Sequence, residues 1–216
     1  MSSPETWRRC VSWVLALLTL LVVSCGAPAP PDHAVRIVAL GDSLTAGFGL
    51  SREQAWPALA QAALRQRGWD VVVVNAGVSG DTTEDGLARL PGLLAPPPDL
   101  VLVALGGNDG LQRRSPERTE ADLDAIVMQV QAAGAQAALM GVRLPVFVQG
   151  AWSDLLGAAV RRVAERHDLP LLPDLLEGVL GDPRLLLADG LHPNASGQQV
   201  LAERVVDFLS ERHRLR

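Results

Sequence analysis

The chain contains no lysine and no tyrosine. All 19 of its basic residues are arginine, which removes Schiff-base chemistry, phosphate-binding loops of the Gly-Lys-Ser/Thr type and serine–lysine catalysis. Cysteine is nearly absent too. Only Cys10 and Cys25 occur, both near the start, so the rest of the chain has no disulfide, no thiol nucleophile and no cysteine-ligated zinc. Positive charge is in short supply, with 19 basic against 24 acidic residues and a net charge of −5, which argues against a nucleic-acid partner. What the sequence does have is apolar mass: 48% of its 216 residues are hydrophobic, ample for the core of one large domain.

The first 33 residues read as an export segment rather than part of a fold. Arg8 and Arg9 precede an apolar stretch at residues 11–23, VSWVLALLTLLVV, which is short of the roughly 20 residues of a membrane span and has the length of a signal-peptide core. An uncleaved membrane anchor is the competing reading. The next residues, Val22-Val23-Ser24-Cys25-Gly26, resemble the lipobox of bacterial lipoproteins, in which cleavage precedes a cysteine that becomes acylated. A rival cut after Ala27-Pro28-Ala29 is disfavoured by Pro30. Residues 1–24 are thus expected to be a lipoprotein-type signal peptide. Residues 25–33 are expected to be a lipidated Cys25 and a Pro-rich spacer that tether the protein to a membrane, in the periplasm or cell envelope.

From Ala34 onward, apolar runs alternate with helical patterns. Strands are expected at 34–40, 71–75, 100–105, 135–141 and 169–172, nearly continuous apolar runs of the kind covered on both faces. Helices are expected at 52–67, 116–133, 151–167 and 197–212. Such alternation predicts an α/β architecture: one flavodoxin-like three-layer domain over residues 34–216 with a five-stranded parallel sheet. In such sheets ligands sit beyond the carboxyl ends of the strands, where the strand order reverses.

Four segments fall on that side: Gly41-Asp42-Ser43, the stretch Asn75–Thr83, Gly106-Gly107-Asn108-Asp109, and Asp189-Gly190-Leu191-His192-Pro193. Each has an ordinary reading as turn or cap, and Ser43 in particular is either a helix cap or a nucleophile. Together they supply complementary parts. A serine hydroxyl needs a base. Of His33, His167, His192 and His213, only His192 lies in a suitable loop. Asp189, three residues earlier, is within reach of Nδ1 across a tight turn, leaving Nε2 for Ser43. The backbone N–H of Gly80, the side-chain amide of Asn108 and the Ser43 N–H are candidate donors to an oxyanion. An imidazole acting as base predicts a rate that rises with pH.

Ser43, Gly80, Asn108 and His192 match the four block residues of the SGNH, or GDSL, hydrolase superfamily. The runs GDSLTAGFGL, AWPALA, VVNAGVSGDTTEDGLARLP, LGGNDGL, RLP and LLPDLLEGVL…DGLHPN resemble its bacterial arylesterase, acyl-CoA thioesterase and lysophospholipase branch over roughly residues 36–210. The resemblance implies a serine esterase acting on small-molecule acyl esters or thioesters through an acyl-enzyme. Ser43 would be the nucleophile, His192 the base, Asp189 its partner, and Gly80 and Asn108 the oxyanion donors, with no cofactor and no metal. It also implies a loop over an acyl groove, here carrying Leu144, Pro145 and Phe147, although the tyrosine common there is missing. Three other readings stand beside it. One is a carbohydrate O-deacetylase on the same fold and another a non-catalytic envelope lipoprotein. The third is a metal-dependent phosphoesterase using Asp42, Asp81, Asp109, Asp189 and His192. The Gly-x-Ser-x-Gly elbow of α/β-hydrolases is absent around Ser43.

Overall fold

The protein is described by a computed structural model that covers residues 34–144 and 151–211. Five strands, β1 (Val35–Gly41), β2 (Val71–Gly77), β3 (Leu100–Ala104), β4 (Gln136–Met140) and β5 (Leu171–Leu172), pair in parallel in the order β2-β1-β3-β4-β5. The helices are α1 (Ser43–Ala46), α2 (Trp56–Gln66), α3 (Thr83–Leu93), α4 (Gly107–Leu111), α5 (Pro116–Ala132), α6 (Ala151–Arg166) and α7 (Ala195–Glu211). Among the described residues no helix is long and apolar enough to cross a membrane.

The three layers follow from side-chain alternation along the strands. Val35, Ile37 and Ala39 point to one face, where they meet Trp56 and Leu64 of α2 and Leu201, Val205 and Leu209 of α7. Val38 and Leu40 point to the other, against Leu90 of α3, Leu123, Ile126 and Val130 of α5, and Val163 of α6. β2 is an edge strand, and Gln61 of α2 accepts the Val73 N–H at 2.8 Å, covering part of the edge.

Three elements differ from the pattern reading. The expected fifth strand contracts to two residues because Pro170 and Pro173 bracket it and cannot donate to a ladder. The expected helix over 52–67 divides into a 3₁₀ turn at Arg52–Gln54 and α2, since Ala55 is extended and Pro57 sits in the first turn of α2. α3 was hidden by Gly86 and Pro91, both poor helix residues. Its start nonetheless carries a capping box: Thr82 accepts the Asp85 N–H while Asp85 accepts the Thr82 N–H at 2.9 Å.

Because β1 and β3 are neighbours, with Gly41 paired to Ala104, the turns that follow them open side by side. The turn after β2 opens beside them on the other flank of β1. This is the reversal point of the sheet.

Candidate active site

β1 ends at Gly41 and α1 begins two residues later, so the backbone must turn sharply at Asp42. Asp42 is the cap: its carboxylate accepts the Leu44 N–H at 3.0 Å. That answers the question raised by the Gly-Asp-Ser run. The capping role falls to Asp42, and the Ser43 hydroxyl is left for another partner. The partner is His192, whose Nε2 lies 2.9 Å from Ser43 Oγ across 149 residues of chain.

His192 is held by its own turn. Asp189 Oδ2 lies 2.7 Å from His192 Nδ1, and Asp189 Oδ1 accepts the backbone N–H groups of Leu191 and His192 at 2.9 and 3.0 Å. Gly190 takes a left-handed conformation (φ 67°) that lets the turn close this tightly. Burial raises the Asp189 carboxyl, but the His192 backbone, the His192 ring and the Leu191 N–H together outweigh it and hold the group down at about 2. The carboxylate is therefore charged across the physiological range, which favours the tautomer with a proton on Nδ1 and a lone pair on Nε2. Asn194 fixes the far side of the loop. Its amide donates to the Arg184 and Leu186 carbonyls while its oxygen accepts the Ser196 and Gly197 N–H groups at the start of α7.

Gly80 lies in the turn after β2 with φ 92°, a conformation that glycine tolerates. Neither its N–H nor that of Ser43 donates to a protein atom among the described residues. Asn108 lies on α4, after β3. Its Nδ2 donates to the Asp81 carbonyl at 2.9 Å and to Asp42 Oδ2 at 3.3 Å, the second being the longer bond. Ser43, Gly80, Asn108 and His192 border one cavity of about 310 Å³ whose remaining walls are mainly apolar, including Leu111, Val142, Leu144, Leu176 and Leu191. Leu144 is buried and faces both this cavity and the Gly110 backbone. Pro145 and Phe147 lie outside the described residues, as do Cys25, His33 and His213. His167 is remote from the site and pairs with Asp124 at 2.8 Å.

The carboxylates weighed as metal ligands do not share one centre. Asp81 pairs with Arg89, Asp109 accepts from Thr83 and Thr119, and Asp189 serves His192. Among the described residues no group of three or more such side chains is disposed to hold a metal ion.

The sequence offered Asp42 as a possible metal ligand, not as a buried cap beside the serine, and did not single out Phe48. Asp42 is 2% exposed, and burial, partly opposed by the Leu44 N–H and by His192, pushes its carboxyl up to about 6. Phe48 stacks obliquely on the His192 ring with centroids 4.4 Å apart. The aspartate carried a local signal, since its residue type favours helix caps; the phenylalanine carried none, since only the tertiary fold brings it to His192.

The model of the GDSL-like lipase/acylhydrolase family matches residues 39–200, which span all of these groups. The chain belongs to that family. A Vibrio mimicus protein named arylesterase is 38% identical over 91% of this chain and 98% of its own length. An Escherichia coli K12 protein named thioesterase 1/protease 1/lysophospholipase L1 is 41% identical over 88% of this chain and 89% of its own. Among solved structures, a psychrotrophic esterase EstA from Pseudoalteromonas, inhibited by monoethylphosphonate, superposes with a TM-score of 0.78. It is 32% identical and covers 82% of this chain and 97% of that one. The GDSL family member described here is a serine esterase with the flavodoxin-like, five-stranded parallel α/β fold of the SGNH hydrolases.

Proposed function

We propose that Ser43, His192 and Asp189 form the catalytic triad of this esterase. The observation that carries the proposal is the unbroken line from Ser43 Oγ to His192 Nε2 at 2.9 Å and from Nδ1 to Asp189 Oδ2 at 2.7 Å. Ser43 Oγ attacks the acyl carbon as His192 Nε2 takes its proton. The tetrahedral oxyanion is met by the Gly80 N–H, the Ser43 N–H and the Asn108 amide, which turns its longer bond from Asp42 Oδ2 to the oxyanion and keeps the one to the Asp81 carbonyl. Collapse expels the alcohol or thiol, which receives the proton from His192. Water then enters by the same route in reverse and releases the acid.

The preferred substrate is an ester or thioester of a fatty acyl chain rather than an acetylated sugar. The support is the wall of Leu111, Val142, Leu144, Leu176 and Leu191 around the serine, where a carbohydrate would leave its hydroxyls unpaired. Pro145 and Phe147, next along the chain from Leu144, are assigned to the same acyl groove. The leader points to export: cleavage after Ser24, acylation of Cys25 and a spacer to residue 33 hold the hydrolase domain at a membrane surface.

Turnover of oxygen esters, thioesters and lysophospholipids across acyl-chain lengths tests the substrate class. Rates that rise beyond acetyl support the fatty acyl assignment, and activity confined to acetylated sugars rejects it. A fluorophosphonate probe should label the parental protein and leave Ser43→Ala unlabelled. Radiolabelled palmitate should enter the parental chain but not Cys25→Ala.

A further inference from the structure

The candidate oxyanion donors come from separate loops, and an oxyanion pocket works only if its donors are already aimed when charge develops. The loop after β2 carries Gly80, and the residue after it, Asp81, is linked in two directions. Its carbonyl accepts the Asn108 Nδ2–H at 2.9 Å. Its carboxylate accepts Arg89 Nε–H at 2.6 Å. Arg89 then donates through Nη2 to the Gly41 carbonyl at 2.9 Å, two residues before Ser43. The same carbonyl accepts the Val78 N–H at 3.0 Å. One guanidinium thus spans the turn that bears the serine and the turn that bears Gly80, and reaches Asn108 through a single residue, Asp81.

The base of this bridge is firm. Arg89 projects from α3, whose first turn is fixed by the fully buried Asp109. That carboxylate accepts the Thr83 N–H at 2.9 Å and the Thr83 hydroxyl at 2.7 Å. Asp81 is itself almost buried, with Arg89 as its ion-pair partner, and it lies close enough to the Asp42 carboxyl to add to that group's proton affinity. Without the guanidinium, Asp81 is left desolvated and repelled by a like charge, and its loop has reason to move.

We propose that Arg89 is a positioning residue: through Asp81 it aligns the Gly80 N–H and the Asn108 amide as oxyanion donors. This rests on the reading of Gly80 and Asn108 given under Proposed function. The fork is essential to the argument, because two donors at fixed separation bridge Asp81 and Gly41, whereas a lysine ammonium supplies one point of attachment.

Full-length Arg89→Met, Arg89→Lys, Asn108→Ala and the Arg89→Met/Asn108→Ala double variant are compared on a p-nitrophenyl ester. Arg89→Met should lose about 10- to 100-fold in kcat with KM changed by less than about threefold, the signature of misaimed donors rather than lost substrate contacts. Arg89→Lys should recover only part of that loss. The double variant should fall well short of the product of the single losses, since Arg89 has less to align once Asn108 is gone. Parental turnover in Arg89→Met while Asn108→Ala is impaired overturns this inference alone, as does a loss confined to KM or a fully multiplicative double variant. Parental turnover in Asn108→Ala overturns the oxyanion reading itself. Should Arg89→Met fail to fold, Arg89→Lys is judged by the same kcat and KM criteria.

Discussion

At the scale of single residues, the site divides its labour among neighbours in sequence. Asp42 caps α1 and Ser43 turns to His192, so two adjacent polar residues with similar turn preferences take different roles. Asp189 is 38% exposed at its side chain, yet it is saturated by the ring and backbone of the residue it orients. Ser43→Ala and His192→Ala should each lower kcat by on the order of 10⁶, and Asp189→Asn by about 10⁴, because only the last change keeps both the hydroxyl and the imidazole in place. Steady-state hydrolysis of a p-nitrophenyl ester measures all three. Parental rates in Ser43→Ala would remove the triad.

At the scale of elements, the short α1 is too brief to hold its place unaided, and α7 secures it. Gln198, buried on α7, accepts the Trp56 N–H at 2.7 Å and donates to the Leu44 carbonyl at 3.1 Å, joining α2, α7 and the helix that begins with Ser43. α7 also follows directly on the His192 loop. The two segments that bear the proposed nucleophile and base are therefore pinned by one side chain. Gln198→Leu leaves a buried donor and a buried acceptor unpaired, at about 1–3 kcal/mol each. The denaturant midpoint should fall accordingly, and kcat should fall far less than in Ser43→Ala. An unchanged midpoint would show that the two backbone groups find other partners. A similar economy appears at the start of α3, where the Thr82–Asp85 box sets the first turn and Asp109 secures it from α4.

At the scale of the whole molecule, burial of Asp42 links catalytic geometry to stability. Its carboxyl rises from 3.8 to about 6, so between those values the folded protein holds a proton that the unfolded chain gives up. The resulting stabilisation is complete below the unfolded value and is lost as pH rises through about 6, an effect on the order of 3 kcal/mol. Asp42→Asn cannot titrate. The stability of the parental protein relative to this variant should therefore decline from about pH 4 to about pH 8, and urea melts across that range measure it. A difference independent of pH would contradict the burial argument. Asp189 works in the opposite sense, its depressed carboxyl adding stability that is present above its unfolded value and lost as pH falls towards about 2.

The sequence by itself determined the layer architecture, because continuous apolar runs separated by amphipathic stretches bury both faces of a parallel sheet and leave few other packings. It also made Ser43, Gly80, Asn108, Asp189 and His192 legible as candidates, since each lies in a short polar segment beside glycine or proline where ordinary turns and working groups share the same signals. Only the tertiary structure decided how those segments meet. The strand order set the Ser43 and Asn108 turns side by side, long-range hydrogen bonds through Arg89 and Gln198 joined loops far apart in the chain, and Phe48 came to rest on His192. Those contacts depend on where whole elements are carried by the packing of the core, and no local pattern of residues encodes that.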